Sequence, residues 1–280
     1  MTEVEIVERL RRMLPVRKRG LILGIGDDCA IYRPSGSRED LVLTSDQTIE
    51  GVHFRSGARA RNIGSRAALR ALSDIAAMGA EPRFCLISVA APASFSVERF
   101  YVGVRDVLTR YRFDVAGGDL ARAKRFSCDV AVCGSVPRGQ ALRRDGARPG
   151  DAIYVSGLLG GNAASGYRRM PEPRIALGRR LRERATACMD ISDGLALDLY
   201  RMCMASGTGA FLHSVPAGRG ATERQALHGG EDYELLYSGP AGLPGIPIGV
   251  MNDGPAGMVS VGGYPINPVG WDHFGTNPLE

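Results

Sequence analysis

Apolar residues recur about every three to four positions in three segments of the N-terminal half, which is the spacing of amphipathic helices. The first segment begins with Thr2 and Glu5, which fit a capping box, and the second ends at Gly79, a common helix stop. Shorter apolar runs between these segments are typical of strands. The pattern predicts helices over residues 2–14, 61–79 and 96–112, and strands over 29–32, 41–45, 84–90 and 129–136.

The stretch RRDGARPGD at residues 143–151 is rich in turn-forming residues and separates the first half from a second, similar one. Helices and strands alternate again after it, so we predict an α/β (α+β) protein with two domains, residues 1–138 and 139–280. The elements predicted in the second half are strands over 152–156, 234–237 and 246–250, helices over 161–169, 175–184 and 193–205, and a hairpin turning at Gly262 and Gly263.

The composition is typical of a soluble enzyme, because 44% of the 280 residues are hydrophobic and 23% are charged. No run approaches the roughly 18 apolar residues of a membrane span. The first residues carry Glu3, Glu5 and Glu8 without an apolar run, which is unlike a signal peptide. We therefore expect a cytoplasmic protein with no membrane partner.

The net charge is +5, and nearly all of the basic residues are arginines, since Lys18 and Lys124 are the only lysines. The arginines are spread along the chain and form no basic tract, so we do not expect nucleic acid as a partner. The six cysteines form no C-x-x-C pair and the four histidines have no metal-ligand spacing. We expect the cysteines to be reduced core residues.

Aspartates recur beside glycine or hydroxyl residues, at the predicted ends of elements. A single motif of this kind is ordinary turn or helix-cap chemistry, but five motifs from distant parts of the chain indicate a shared site. The motifs are GDD, TSD, LSD, GGD and MDISDG, which contain Asp27, Asp28, Asp46, Asp74, Asp119, Asp190 and Asp193.

Seven carboxylates in one cleft would repel each other unless cations lay among them. Oxygen ligands select Mg²⁺ or Ca²⁺, and Mg²⁺ commonly joins protein carboxylates to substrate phosphates. The chain has no G-x-x-x-x-G-K-[ST] loop, so several Mg²⁺ ions and an arginine would have to neutralise a nucleotide's phosphates. The aspartates thus predict metal-dependent phosphate chemistry.

Eight sequence blocks, spread in order from end to end, resemble those of the thiamine-monophosphate kinase family in the aminoimidazole ribonucleotide synthetase superfamily. The first six are typical of the superfamily, whereas GVHF, GGEDYEL and the terminal G-aromatic-DHF point to the kinase. The blocks are GIGDDCA, TSDQTIEGVHF, LSDIAAMGAEP, GGD, ALRRDGARPGD, MDISDGLALDL, GGEDYELL and GWDHF.

The resemblance implies a two-domain aminoimidazole-ribonucleotide-synthetase-like fold, with mixed sheets flanked by helices, and a homodimer. The N-terminal domain would bind metal and ATP and form the dimer. The implied reaction is phosphorylation of thiamine monophosphate by ATP to give thiamine diphosphate. No nucleophile–base pair is evident in the sequence, which suits direct in-line transfer.

The resemblance also implies roles for individual residues. Mg²⁺ ligands would be Asp28, Thr44, Ser45, Asp46, Asp74, Asp119, Asp190 and Asp193, with Asp27 as an adjacent candidate. ATP contacts would be Gly118, Asp119, Arg144 and Ser192, and substrate contacts would be His53, Glu231 and Trp271.

Two departures from the family pattern keep alternatives open. In the first, Leu120, Ala121 and Arg122 follow GGD, where the family has two hydroxyl residues before arginine. In the second, the chain is shorter than the family pattern over residues 157–174 and 216–226. The alternatives are a purine-synthetase-like enzyme or an inactive metal- and nucleotide-binding paralogue. The three predicted substrate residues also have purely structural interpretations: His53 could cap a strand, Glu231 could pair with an arginine, and Trp271 could be a core residue.

Overall fold

A computed structural model describes residues 2–275 of the chain. Its N-terminal half contains a six-stranded sheet in the order β1-β2-β3-β6-β4-β5, in which only β4 and β5 pair in parallel. The strands are β1 Leu21–Leu23, β2 Ala30–Tyr32, β3 Glu39–Ile49, β4 Glu81–Ala91, β5 Asp114–Arg122 and β6 Ser127–Pro137. The helices are α1 Glu3–Met13, α2 Ala60–Ala77 and α3 Val97–Tyr111.

The C-terminal half contains a seven-stranded sheet in the order β13-β12-β9-β11-β7-β10-β8, in which β12 and β9 pair in parallel. Both sheets are mixed and flanked by helices, as the sequence predicts. The strands are β7 Ala152–Val155, β8 Ala187–Asp190, β9 Gly209–Leu212, β10 Leu235–Gly239, β11 Ile246–Asn252, β12 Val259–Val261 and β13 Tyr264–Pro265. The helices are α4 Gly161–Ala164, α5 Ile175–Leu181, α6 Leu195–Ser206 and α7 Glu223–His228.

Helix α2 connects the two halves because it packs on the N-terminal sheet and also contacts α5 and β8. The approach of α5 is close: a Cβ on Gly178 would lie 2.0 Å from the carbonyl oxygen of Ala76. No other residue fits there without moving one of the helices. The proposed boundary between residues 138 and 139 falls between β6 and β7 and remains a prediction. Nowhere in residues 2–275 does a helix combine the length and apolar character needed to cross a membrane.

The helices predicted in the N-terminal half are confirmed, together with the residues that begin or end them. Thr2 Oγ1 accepts a hydrogen bond from the Glu5 backbone N–H at 3.3 Å, and Glu5 Oε2 accepts one from the Thr2 N–H at 2.8 Å. Ser96 caps α3 through Arg99 N–H, and Gly79 has a φ of +65° just beyond α2.

The helix predicted over residues 161–169 is wrong after Ala164. Asn162 draws the chain into a turn, because its backbone oxygen accepts from Tyr167 N–H at 2.8 Å and its Oδ1 from Arg169 N–H at 3.1 Å. Tyr167 adopts a left-handed φ of +60°, which no continuing helix allows.

The expectation that the aspartates all lie at the ends of elements is also wrong. Asp46 lies within β3 and Asp119 within β5. Strand β5 was not predicted because Gly117 and Gly118 favour a turn, yet a Cβ on Gly118 would lie 1.9 Å from Ile87 O. Only glycine allows β5 to approach β4 this closely.

Candidate active site

A cavity of about 940 Å³ lies between the two halves of the molecule. Helix α2 forms one wall, and the loops that follow β3 and β8 form others. The C-terminal segment closes one side through Trp271 and His273. Most of the charged and aromatic candidates for function line it, among them Glu3, Asp46, His53, Arg66, Arg70, Asp74, Asp190, Asp193, Glu231 and Trp271.

Four aspartates form a buried cluster, Asp27, Asp28, Asp74 and Asp190, of which Asp74 and Asp190 line the cavity. Burial raises the pKa of Asp28 to about 8, and the charges of Asp27 and Asp190 add to the increase although Arg144 opposes it. Burial likewise raises the pKa of Asp190 to about 7. The pKa of Asp74 is raised by burial and by Asp190 and Asp28. These groups therefore resist carrying their charges together.

Arginine and hydroxyl side chains partly balance the cluster. Arg144 pairs with Asp28, and its Nε lies 3.4 Å from Asp27 Oδ1. Ser73 Oγ donates a hydrogen bond to Asp190 Oδ2 at 2.6 Å, and Thr44 Oγ1 donates to Asp74. Asp28 Oδ2 is buried and has no hydrogen-bond partner among the described residues.

The chemistry of the cluster fits a hard divalent cation, although its present geometry is not that of a finished metal site. Among residues 2–275, no three acidic, histidine or cysteine side chains already surround one point. Buried carboxylates with raised pKa values and an unpaired oxygen are nevertheless what a bound cation would relieve. Arg144 contacts Asp27 Oδ1 and Asp28 Oδ1 and would compete with such an ion for these two oxygens, whereas Asp28 Oδ2 has no partner among the described residues.

Asp193 and Asp46 lie beside the cluster, each held by an arginine. Arg201 Nη1 donates to Asp193 Oδ2 at 2.5 Å and to the fully buried Asp198 Oδ1 at 2.8 Å. Arg70 Nη2 donates to Asp46 Oδ1 at 3.2 Å. Burial raises the pKa of Asp46 to about 6 even though the charge of Arg70 lowers it.

His53 lines the cavity as a neutral imidazole. Its Nδ1 accepts a hydrogen bond from the Ile49 N–H at 2.9 Å, so the ring proton is on Nε2. Burial lowers the pKa of His53 to about 3, and the charges of Arg70, His273 and Arg66 lower it further. His53 therefore caps the end of β3 and keeps one N–H donor for a ligand.

Trp271 is partly exposed at the cavity and does not belong to the hydrophobic cores. Its Nε1–H donates to His273 Nδ1 at 3.4 Å, and the two rings meet edge to face with centroids 5.8 Å apart. The His273 ring in turn lies 5.5 Å from the His53 ring. The core interpretation of Trp271 is therefore wrong, whereas its substrate role remains a prediction.

Glu231 pairs with arginine and also lines the cavity. Its Oε2 accepts from Arg66 Nη1 at 2.8 Å, and its Oε1 lies 4.0 Å from Arg70 Nε. Burial raises the pKa of Glu231, opposed by Arg70 and Arg66. The backbone has a left-handed φ of +63° there, fixed by a 2.6 Å hydrogen bond from Glu231 N–H to Ser192 O. Strain of this kind in a non-glycine residue is common at functional sites.

Comparisons with known proteins identify the family. The family model described as AIR synthase related protein, N-terminal domain, matches residues 26–136. Thiamine-monophosphate kinase of Escherichia coli O157:H7 is 33% identical over 91% of this chain and 92% of that relative. The Aquifex aeolicus enzyme of the same name is 32% identical over 89% and 92%. The chain belongs to the thiamine-monophosphate kinase family.

Solved structures of the family superpose along nearly the whole chain. AaThiL complexed with AMPPCP and TMP has a TM-score of 0.87 at 30% identity, covering 98% of this chain and 97% of that one. Thiamine-monophosphate kinase from Stenotrophomonas maltophilia K279a has a TM-score of 0.75 at 34% identity, covering 94% and 96%. Hydrogenase maturation protein HypE in complex with ATP, at 18% identity and a TM-score of 0.71, shares the fold.

Within this family fold, Asp119 lies away from the cluster. Val130, Ile87 and Gly118 pair in register with Asp46 across the sheet, so these residues share one face. Asp119 follows Gly118 along β5, and its side chain therefore points to the other face. Its side chain is exposed, and no hydrogen bond or ion pair given for residues 2–275 joins it to the cavity. The metal and ATP roles of Asp119 and Gly118 remain predictions.

Ser45 also faces away from the cluster, although it borders the cavity, because its Oγ donates to Asp129 Oδ1 at 2.6 Å. Ser192 lies at the cavity in the turn between β8 and α6, and its carbonyl oxygen fixes Glu231. The metal role predicted for Ser45 and the ATP contact predicted for Ser192 remain predictions.

Four charged residues of the site were missed in the sequence: Arg66, Arg70, Asp198 and Arg201. Arg66, Arg70 and Asp74 are spaced four apart on α2, which places them on one face of an otherwise apolar helix. A buried arginine needs an acidic partner, and the spacing of these arginines on an apolar helix was therefore the available signal of a charged site. Asp198 interrupts the apolar run LALDLY, and its Oδ2 accepts from the Asp193 and Gly194 N–H groups at 3.0 and 3.1 Å. Arg201 lies one turn further along the same helix.

Proposed function

We propose that this protein phosphorylates thiamine monophosphate with ATP, giving thiamine diphosphate and ADP. The observation that carries the proposal is one cavity that four aspartates line together with His53, Glu231 and Trp271; the aspartates are Asp46, Asp74, Asp190 and Asp193. Family membership supports it, as does the close superposition on AaThiL complexed with the ATP analogue AMPPCP and with TMP.

We propose that Mg²⁺ is held by the four clustered carboxylates, Asp27, Asp28, Asp74 and Asp190, together with Asp46 and Asp193 beside them. Bound Mg²⁺ would supply positive charge to the phosphates of both substrates. Arg144 would then be released from Asp27 and Asp28 and become available to an ATP phosphate. Asp198 and Arg201 hold Asp193 in place from behind.

The geometry favours direct transfer between the two substrates. The six cysteines are buried and unpaired, and burial raises the pKa of Cys29 and Cys188, which lie nearest the cluster. Such thiols are poor nucleophiles. Phosphoryl transfer depends mainly on positioning and charge stabilisation, which a buried acidic site that holds Mg²⁺ can supply. We therefore expect sequential kinetics and no phosphoenzyme.

The substrate would lie with its cationic ring against Trp271. The thiazolium ring carries a permanent positive charge, and a tryptophan face attracts such a cation by about 0.5–2 kcal/mol. Glu231 would add a negative charge, and the Nε2–H of His53 would donate to the phosphate end. Burial raises the pKa of Glu231, and the Arg66 and Arg70 pairs oppose that rise and hold the carboxylate in place.

Replacing Trp271 with alanine is expected to raise the KM for thiamine monophosphate about tenfold, which corresponds to ~1.4 kcal/mol. The KM for ATP should change little, and Trp271→Phe should give an intermediate value because phenylalanine has a weaker quadrupole. Steady-state kinetics measure both constants. An unchanged KM together with a lower melting temperature would assign Trp271 a structural role only.

We also propose a homodimer. The face of the N-terminal sheet opposite α2 and α3 exposes Leu43, Phe84 and Leu86 at 42%, 42% and 46% of their surfaces. Large apolar side chains grouped on an open sheet face favour a partner surface, and a second copy of this chain would cover them. This is the face that also carries Asp119.

Light scattering should therefore give twice the chain mass of 29.9 kDa. Leu86→Arg should shift the protein toward the single chain, because it would bury a charge in the interface. A fully active wild-type protein with the mass of one chain would contradict the dimer.

The test of the proposed activity is ADP release in a coupled assay, with thiamine monophosphate, thiamine or no acceptor. We expect release that depends on both thiamine monophosphate and Mg²⁺. An inactive paralogue would bind ATP and release no ADP above background with any acceptor.

A further inference from the structure

Glu3 contributes a carboxylate to the cavity from a distant part of the sequence. It is the first residue of α1 and borders the cavity beside residues of the C-terminal half. Its Oε2 is shielded from solvent and has no hydrogen-bond partner among residues 2–275. An unpaired carboxylate oxygen in such a place is unfavourable unless a donor reaches it.

The side chain of Glu3 is not needed to cap its helix. Glu5 closes the capping box with Thr2, so the helix has its side-chain cap without Glu3. The Glu3 backbone N–H instead donates to the two carboxylate oxygens of Asp272 at 3.2 and 3.3 Å. This contact fixes Glu3 next to the segment that carries Trp271.

An arginine within electrostatic reach of Glu3 is already paired with other acids. Arg201 is bonded to Asp193 and Asp198 at 2.5 and 2.8 Å. Burial lowers the pKa of Arg201, but Asp193, Asp198 and, more weakly, Glu3 raise it above the usual value. Glu3 therefore lies within electrostatic reach of Arg201, and within residues 2–275 the ion pairs of Arg201 are with Asp193 and Asp198.

We propose that Glu3 is a substrate-binding residue that accepts a hydrogen bond from the exocyclic amine of the pyrimidine ring of thiamine monophosphate. The inference rests on the proposed function. An ionised carboxylate only accepts hydrogen bonds, and the thiazolium ring that would lie against Trp271 has no N–H to offer. The pyrimidine amine is the N–H donor of this substrate, so it is the group that Glu3 can recognise.

Calorimetric titration of thiamine monophosphate without ATP tests this contact. Glu3→Gln is expected to weaken binding about tenfold because the amide keeps the shape of the side chain but loses the charged acceptor. Glu5→Gln is the matched control: it removes a first-turn charge from the same helix, and glutamine can still close the capping box. It should bind as the wild type does.

An analogue with oxygen in place of the exocyclic amine makes the test specific to the proposed hydrogen bond. Wild-type protein should bind this analogue about tenfold more weakly than thiamine monophosphate, whereas Glu3→Gln should bind the two with similar affinity. A non-additive result of this kind reports a direct interaction. A merely structural role for Glu3 would weaken both ligands alike.

Three results would overturn the inference. Glu3→Gln could bind thiamine monophosphate as tightly as wild type, or it could lose affinity for both ligands equally. It could also change only the Mg²⁺ concentration needed for turnover, which would make Glu3 a metal ligand. Failure of the wild-type protein to bind thiamine monophosphate at all would instead overturn the proposed function, and the Glu3 contact with it.

Discussion

Replacing Asp190 with asparagine is expected to reduce turnover roughly a hundredfold to a thousandfold while leaving the protein folded. Asp190 is buried at the end of β8, and its charge acts on both Asp28 and Asp74, so it lies at the centre of the proposed metal site. Asparagine keeps an acceptor for Ser73 Oγ but removes the charge that a cation needs. Steady-state kinetics at saturating ATP and thiamine monophosphate measure the loss.

The same variant should be more stable than wild type at pH 8 in a chelator. Asp190 has its pKa raised to about 7 in the folded state, so folding favours the protonated form. The free energy of unfolding therefore falls as the pH rises from about 4 to about 7, and Asp190→Asn removes that loss. Each kcal/mol recovered should raise the melting temperature by roughly 2–4 °C.

Asp106→Asn is the control, because Asp106 forms only a surface pair with Arg61. It should change neither activity nor the pH dependence of stability by a measurable amount. Near-normal activity of Asp190→Asn, or an equal loss of stability at pH 5 and pH 8, would contradict the acidic metal site.

Replacing Arg70 with leucine is expected to lower the free energy of unfolding by about 3–5 kcal/mol. The Arg70 side chain is 9% exposed, and it donates to Tyr233 Oη at 2.6 Å, to Gln47 O at 3.0 Å and to Asp46 Oδ1 at 3.2 Å. Leucine would leave Asp46 buried without its cation. Chemical denaturation monitored by circular dichroism measures the change.

Arg61→Leu is a matched control on the same helix. Arg61 pairs with Asp106 at 2.8 Å, but its side chain is 63% exposed, so the loss should be below about 1 kcal/mol. Adding Asp46→Asn to Arg70→Leu should recover part of the lost stability, because the buried charge is then removed as well. Equal effects of Arg70→Leu and Arg61→Leu would show that Arg70 does not support the site.

The sequence was most informative where the determinants of structure are local. The α1 capping box depends on residues three positions apart, so it could be recognised directly. The aspartate motifs could be recognised because each combines an acid with a glycine or a hydroxyl residue. Five such motifs in one chain predicted an acidic cluster that the fold does bring together for Asp27, Asp28, Asp74 and Asp190.

Contacts between distant segments could not be predicted in the same way. Arg66 and Glu231 are separated by 165 positions, and their pairing follows from the way α2 bridges the two sheets. Asp119 was expected in the cluster, but the register of β5 with β4 turns its side chain to the opposite face from Asp46. A shift of one position in the register of a strand turns a side chain to the opposite face of the sheet, and sequence patterns seldom specify the register that precisely.

Phosphorus NMR of a mixture of ATP, thiamine monophosphate, Mg²⁺ and protein tests the central claim most directly. The monoester signal of thiamine monophosphate should decline as two coupled diphosphate signals of thiamine diphosphate appear, together with those of ADP in equal amount. Asp190→Asn should leave the starting spectrum unchanged over the same period. Inorganic phosphate in place of thiamine diphosphate, or an unchanged spectrum with the wild-type protein, would contradict the account.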